Sequence, residues 1–175
     1  MEQSNDLYRS LEEKPFESIY MHVEGTIDHP VERVWPHALN IGTWMNKHDL
    51  VTVSGEPGRV GHFQRVMPRG LSDAVPPPHY HLYGIAEIVP LKLIVLEVLP
   101  EKGGSYGKTR PKMTFDSISL TDLGGRTRIT YLLIEVNLGK GEKDFCARRK
   151  AEIEAVRTVI EGFFENLGRL AAQDA

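Results

Sequence analysis

The sequence predicts an α+β protein, a curved antiparallel sheet gripping one long C-terminal helix around a cavity. Three observations predict it. Over residues 143–173, Ile153, Val156, Ile160, Phe163, Phe164, Leu167, Leu170 and Ala171 fall within one arc of a helical wheel roughly 120° wide, as in a helix laying one face on a core. Such a helix spans about 45 Å, as long as a small domain is wide, so something broad must lie beneath it. The residues before it read mostly as consecutive strands, with helical spacing confined to a short stretch near the start, which is the α+β pattern. Lastly, Gly55-Glu56-Pro57-Gly58 and Gly124-Gly125 are turn signals between strand-like runs, so neighbouring strands pair as hairpins.

Residues 1–17 read as an N-terminal extension, with a short helix from Asp6 that packs Leu7 and Leu11. Residues 18–175 form the domain. From 18 to 27, Ile19, Met21, Val23 and Ile27 alternate with Tyr20, His22, Glu24 and Thr26, the mark of a strand with one buried face. Asp28-His29-Pro30 supplies a cap candidate and a proline suited to a first helical turn, and Val31, Val34, Trp35 and Leu39 follow at helical spacing. Pro36 lacks an N–H and crowds the preceding turn, which predicts a kinked or broken helix and then a second short one carrying Ile41 and Trp44. Strands are predicted over 51–54, 60–67, 80–89, 91–99, 112–120 and 127–138. Residues 68–78 form a loop ended by three prolines, Pro90 joins two strands tightly, and residues 101–111 are a Gly-rich connection.

A chain of 175 residues is one domain's length, enough to bury about 70% of its unfolded surface in a single core. Hydrophobic content of 41% and charged content of 26% are those of an ordinary soluble globular protein. The formal charge of −3 gives no electrostatic reason to expect nucleic acid or an anionic membrane as a partner. Cys146 is the single cysteine, so there is no internal disulfide framework, which suits a reducing compartment. The polar, acidic start of the chain is not the pattern of a secretory signal. The most apolar stretch, 91–99, contains Lys92 and Glu97 and is too short to cross a bilayer. A cytoplasmic location without membrane insertion is expected.

Ile27-Asp28-His29-Pro30-Val31-Glu32-Arg33-Val34-Trp35, Trp44, Gly55-Glu56-Pro57-Gly58-Arg59-Val60-Gly61 and Gly124-Gly125-Arg126-Thr127-Arg128-Ile129-Thr130 occur in this order along the chain. Together they resemble the first strand-to-helix junction, the second short helix, the second hairpin and the last hairpin of the SRPBCC, or START-like, superfamily, in particular its polyketide cyclase/dehydrase-like members. The resemblance covers residues 19–172. It implies a helix-grip fold of about six to seven strands, with two short helices after the first strand and a mainly apolar cavity used for lipids, sterols, polyketides or other aromatic molecules. No catalytic residue is carried by these motifs, so function must be argued from the site.

Candidate site residues follow from pattern. Arg149 falls inside the apolar arc, one helical turn before Ile153, and in the fold resembled that end of the helix borders the cavity mouth. A guanidinium there could pair with a carboxylate or enolate on an otherwise apolar ligand; alternatively its stem lies over Phe145 with the charge in solvent. His79 and His81, two apart, point the same way on a strand, but no third metal ligand is evident, so no metal is expected. His81 or Tyr83 suits a pocket hydrogen bond. Tyr131 and Glu135 share a face of the last strand with Ile129 and Leu133, whereas Leu132, Ile134 and Val136 share the other, so alternation leaves the inward face open. If the first face is inside, a phenol and a carboxylate enter the cavity and could do acid–base work near a ketone. Glu97, in phase with Leu93 and Val95, poses the same question.

Trp44 stands as a lining candidate, whereas Trp35, Phe163 and Phe164 read as core. Cys146 has no evident partner base and reads as a packing residue. Residues 103–109 mimic a phosphate loop with the wrong glycine spacing, and Arg110-Pro111 stands where its helix must begin. No cofactor is expected.

The reading that results is binding of a small hydrophobic or aromatic, polyketide-like ligand, anionic if Arg149 faces it, with cyclisation, dehydration or proton transfer as the chemistry. A non-catalytic lipid or metabolite carrier or sensor is the first alternative. An interaction module is the second, and Leu93-Ile94-Val95-Leu96, apolar on both faces, keeps a homodimer open.

Overall fold

The computed structural model describes residues 17–41, 48–68, 81–100, 112–137 and 145–173. These form strand β1 (Glu17–Ile27), helix α1 (Val31–Leu39), strands β2 (His48–Ser54), β3 (Phe63–Pro68), β4 (His81–Val89), β5 (Leu93–Pro100), β6 (Lys112–Asp122) and β7 (Thr127–Asn137), and helix α2 (Phe145–Gln173). The N-terminal extension and the second short helix with Trp44 lie outside the described residues. All seven strands join one antiparallel sheet in the order β1-β7-β6-β5-β4-β3-β2. Consecutive strands pair as hairpins from β2 to β7, and β1 returns to close against β7, with Ile27 opposite Thr127 and Glu17 opposite Asn137. Irregular registers between Thr52 and Ser54 and between Ile85 and Glu87 bend the sheet, as bulges do.

One face of this sheet carries the core. On β1 it presents Met21, Val23 and Ile27; on β7 Ile129, Tyr131 and Leu133; on β6 Ile118 and Leu120; on β5 Ile94 and Leu96. Helix α2 covers part of that face with Ile160, Phe163, Phe164, Leu167 and Ala171, all buried and all from the arc that the sequence marks. Its position along the sheet is fixed at three points. Arg157 Nη1 donates to the His22 carbonyl at 3.0 Å. Further on, Phe164 lies on Gly25, and Gly168 comes close to Ile27. The helix therefore runs in the same direction as β1.

Helix α1 departs from expectation, since it runs unbroken from Val31 to Leu39 with Pro36 inside it. Pro36 is on the exposed side, where the carbonyl deprived of its N–H partner can be hydrated, so the proline does not break the helix. Pro30, not Asp28, is the N-cap, and its carbonyl accepts from the Arg33 and Val34 amides. The opposite face buries Val31, Val34 and Ala38. Arg33 reaches across to the end of α2, where its Nη2 donates to the Ala171 carbonyl at 2.6 Å. The corner between β1 and α1 is tied to β7 by Thr127 Oγ1, which donates to the His29 carbonyl at 2.8 Å. At the β6–β7 turn, Gly124 and Gly125 both adopt positive φ, the conformation for which that glycine pair is suited.

Candidate functional site

The buried face is not apolar throughout. Register across the sheet defines a row running Gln64, Tyr83, Val98, Thr114, Glu135 and Ile19, one residue from each of β3, β4, β5, β6, β7 and β1. Within it Gln64, Thr114 and Glu135 are all buried. The next row along contains Ile85, Leu96, Asp116, Leu133 and Met21, and Asp116 is only 1% exposed. One half of the inner surface is thus lined by polar groups and the other half, beneath Phe163, Phe164 and Leu167, by hydrocarbon. Placing so many polar side chains where Leu or Val would serve costs stability, a pattern that marks functional sites.

At the centre of the polar half, the Tyr131 hydroxyl donates to Asp116 Oδ2. Asp116 Oδ1 is buried without a hydrogen-bond partner among the described residues, and so is Gln64 Oε1. Burial, first of all, pushes the Asp116 carboxyl from its ordinary range up to about 7, and the charge of Glu135 adds to this. The hydroxyls of Tyr131 and Tyr83 act the other way, stabilising the charged form. Burial together with Asp116 pushes the Tyr131 phenol well above its usual range, so it remains a neutral donor. Near neutral pH the Asp116 carboxyl is therefore populated both with and without its proton, as a general acid–base group requires. Tyr131 engages Oδ2, so Oδ1 is the carboxyl oxygen without a partner among the described residues.

At the β3 end, His62 is 4% exposed and its Nε2 lies 3.2 Å from Thr52 Oγ1. Burial pushes that imidazole below its ordinary value. Among the described residues there is no group of three His, Cys, Asp or Glu able to hold a metal ion. No described helix is long and apolar enough to cross a membrane.

The structure brings together three of the residues singled out from the sequence: Tyr83, Tyr131 and Glu135 all belong to this inner face. Glu97 does not. It stands opposite Gly84 and Phe115 on the other face of the sheet, because the inward phase of β5 is that of Ile94, Leu96 and Val98. His81 begins β4 opposite Val66 and Pro100, in phase with Tyr83, and its side chain lies outside the described set. The same holds for the side chains of Arg149 and Ile153, although their backbone belongs to α2. Helix and strand rises of about 1.5 Å and 3.3 Å per residue, counted back from the Arg157–His22 contact, bring the helical turn between Arg149 and Ile153 level with Ile19 and Glu135.

Asp116, Gln64 and His62 were not legible as site residues from pattern alone. A signal existed nonetheless. Asp116 is in phase with Ile118 and Leu120, and Gln64 with Val66, so each is a polar residue at an apolar phase of its strand.

No protein-family model and no curated protein sequence matches the chain. Solved structures do match. Norcoclaurine synthase from Thalictrum flavum, in complex with dopamine and hydroxybenzaldehyde, superposes with a TM-score of 0.64 at 11% identity, over 91% of this chain and 90% of that one. The ZhuI aromatase/cyclase from a Streptomyces species gives 0.62 at 10% identity, over 90% and 95%. Ara h 8.0201 gives 0.61 at 12% identity, over 90% and 99%. Identities this low speak for fold alone. The chain has the helix-grip, START-like fold that its local phrases resemble, a seven-stranded antiparallel sheet against a long C-terminal helix, shared with these solved structures.

Proposed function

We propose that the protein binds a small, largely apolar aromatic or polyketide-like molecule between the polar half of the sheet and the first turns of α2, and moves a proton on it. The carrying observation is the buried Asp116–Tyr131 pair, in which Asp116 Oδ1 has no partner among the described residues. A carrier for an inert lipid needs hydrocarbon walls, whereas here Gln64, Tyr83, Thr114, Asp116, Tyr131 and Glu135 share one surface. Two neighbours in fold support this reading: one holds small aromatic molecules and another is an aromatase/cyclase.

The proposed chemistry is enolisation. The Asp116 carboxylate takes a proton from a carbon next to a ketone, and the C–H electron pair becomes the C=C of an enolate as the C=O pair moves onto oxygen. Returning the proton to that oxygen gives the enol and restores the carboxylate. Tyr131 positions the carboxyl and does not itself exchange a proton. A second carbonyl on the same molecule would let the enolate carbon close a ring, and loss of water would follow.

Two measurements test this. Titration with a fluorescent naphthalene dye reports the cavity, and saturable binding is expected. Deuterium uptake at the central carbon of an aryl diketone, followed by NMR, reports enolisation. Acceleration that Asp116→Asn abolishes is the expected result. Absence of dye binding would remove the ligand-binding reading, and binding without acceleration would leave a carrier.

A further inference from the structure

Half of the outer face of the sheet is apolar. Both described helices pack on the inner face, and an antiparallel sheet covered on one side ordinarily turns polar side chains outward on the other. Toward the Gly124-Gly125 turn this holds, with Thr26, Ser119 and Thr130 outward and Arg128 3.7 Å from Glu24. At the opposite end Leu132, Ile134, Val136, Phe115, Val95 and Leu99 point outward, each half-buried and none packed on the core. Beside them Tyr20 is 74% exposed, more than any other large apolar side chain among the described residues. Single exposed apolar residues need no account, but a contiguous patch marks a contact surface.

One row of the patch identifies what it meets. Register places Tyr20, Ile134, Phe115 and Glu97 side by side on β1, β7, β6 and β5. Two hydrocarbon side chains are thus bracketed by a phenol and a carboxylate, neither of which has a hydrogen-bond or ionic partner among the described residues. Such a row is its own complement. We propose that the outer face binds a second copy of this chain, about a two-fold axis running along the strands between β7 and β6. That axis lays Ile134 on the partner's Phe115 and brings the Tyr20 hydroxyl to the partner's Glu97, a donor to a charged acceptor, and does so twice. The next row repeats the fit, with Leu132 facing the partner's Ser117, large against small. Sheets packed face to face keep their strands roughly aligned, so rows meet rows. The apolar pairs form the centre and the Tyr20–Glu97 pairs the rim, where a carboxylate keeps part of its hydration. Bulges bend the sheet around α2, which makes this face convex. Four strands at about 4.8 Å spacing give a strip only about 20 Å wide, smaller than a standard interface, so the dimer is weak and reversible.

Sedimentation velocity of the full chain tests this. A concentration-dependent shift from monomer to dimer is expected. Ile134→Glu, at a half-buried outward position, should leave only monomer, and its urea unfolding curve checks that the fold is intact. Tyr20→Phe keeps the ring and loses the hydroxyl, so it should leave the fold untouched and weaken dimerisation about tenfold or more. In a Glu97→Met background the same change should have no effect, since no acceptor remains. A chain that stays monomeric at every concentration overturns the proposal and assigns the patch to a different protein. A dimer indifferent to Ile134→Glu, or a Tyr20→Phe effect equally large in the Glu97→Met background, overturns it as well. The inner face and the ligand-binding reading play no part in these results.

Discussion

Phe164 lies directly on Gly25. A Cβ built on that glycine would come within 2.8 Å of the Phe164 ring, closer than real Cβ contacts. The missing side chain at Gly25 lets a large aromatic ring settle onto the sheet at the apolar end of the inner face. The polar end lies further toward the start of the helix.

Gly25→Ala should therefore destabilise the protein by about 1–3 kcal/mol through overpacking. Urea denaturation would measure it. Combining it with Phe164→Leu, which removes the crowding ring, should cost less than the sum of the two single changes.

Asp116 makes stability depend on pH. Its folded pKa, about 7, stands above its ordinary value of 3.8. The folded protein keeps this proton where the unfolded chain releases it, so the contribution is fully present below about pH 4 and is lost as pH rises through about 7. The full loss is roughly 4 kcal/mol as an upper figure. Asp116→Asn, which stays neutral, should flatten that slope and be the more stable of the two at pH 8. Chemical denaturation of both proteins across this range checks the sign.

Tyr131→Phe should move the same window upward. The phenol stabilises the charged carboxylate, so removing it lets the Asp116 pKa rise further. Carbon NMR of the carboxyl would follow the titration midpoint. An unchanged or lower midpoint would contradict the assigned role of the hydroxyl.

Arg33→Met should loosen the packing of α1 on α2. Ala171 is in the last turn of α2, where carbonyls have no partner within the helix, and the guanidinium supplies both a donor and a favourable charge there. A loss of about 1–2 kcal/mol is expected. Arg33→Lys, which keeps the charge and loses the planar fork, should recover part of it.

The strands of this fold were readable because turns and alternation coincide. Gly124-Gly125 falls between two apolar runs, and the β1 pattern of Ile19, Met21, Val23 and Ile27 matches the face that is buried. The inward side of β7 was not readable, for a physical reason. Leu132, Ile134 and Val136 on its outer side are also apolar and half-buried, so alternation carries no contrast there. The inner surface here replaces hydrocarbon with Glu135, Asp116 and Gln64 at inward positions, which makes the inside of the strands look like their outside. Glu97, a carboxylate in an apolar run like the others, is on the wrong side by one residue, and only the register with Gly84 and Phe115 reveals it.

The pairing of β1 with β7 has an outcome for how the molecule is made. On the ribosome, β1 emerges early yet has no neighbour until the segment from Thr127 to Asn137 follows, and α2 comes later still. Until then the hairpins of the middle strands must stand alone, with Asp116 and its surroundings open to water. A nascent chain stalled before β7 should accordingly stay sensitive to protease along β1, and acquire resistance only once the closing strand is out of the exit tunnel.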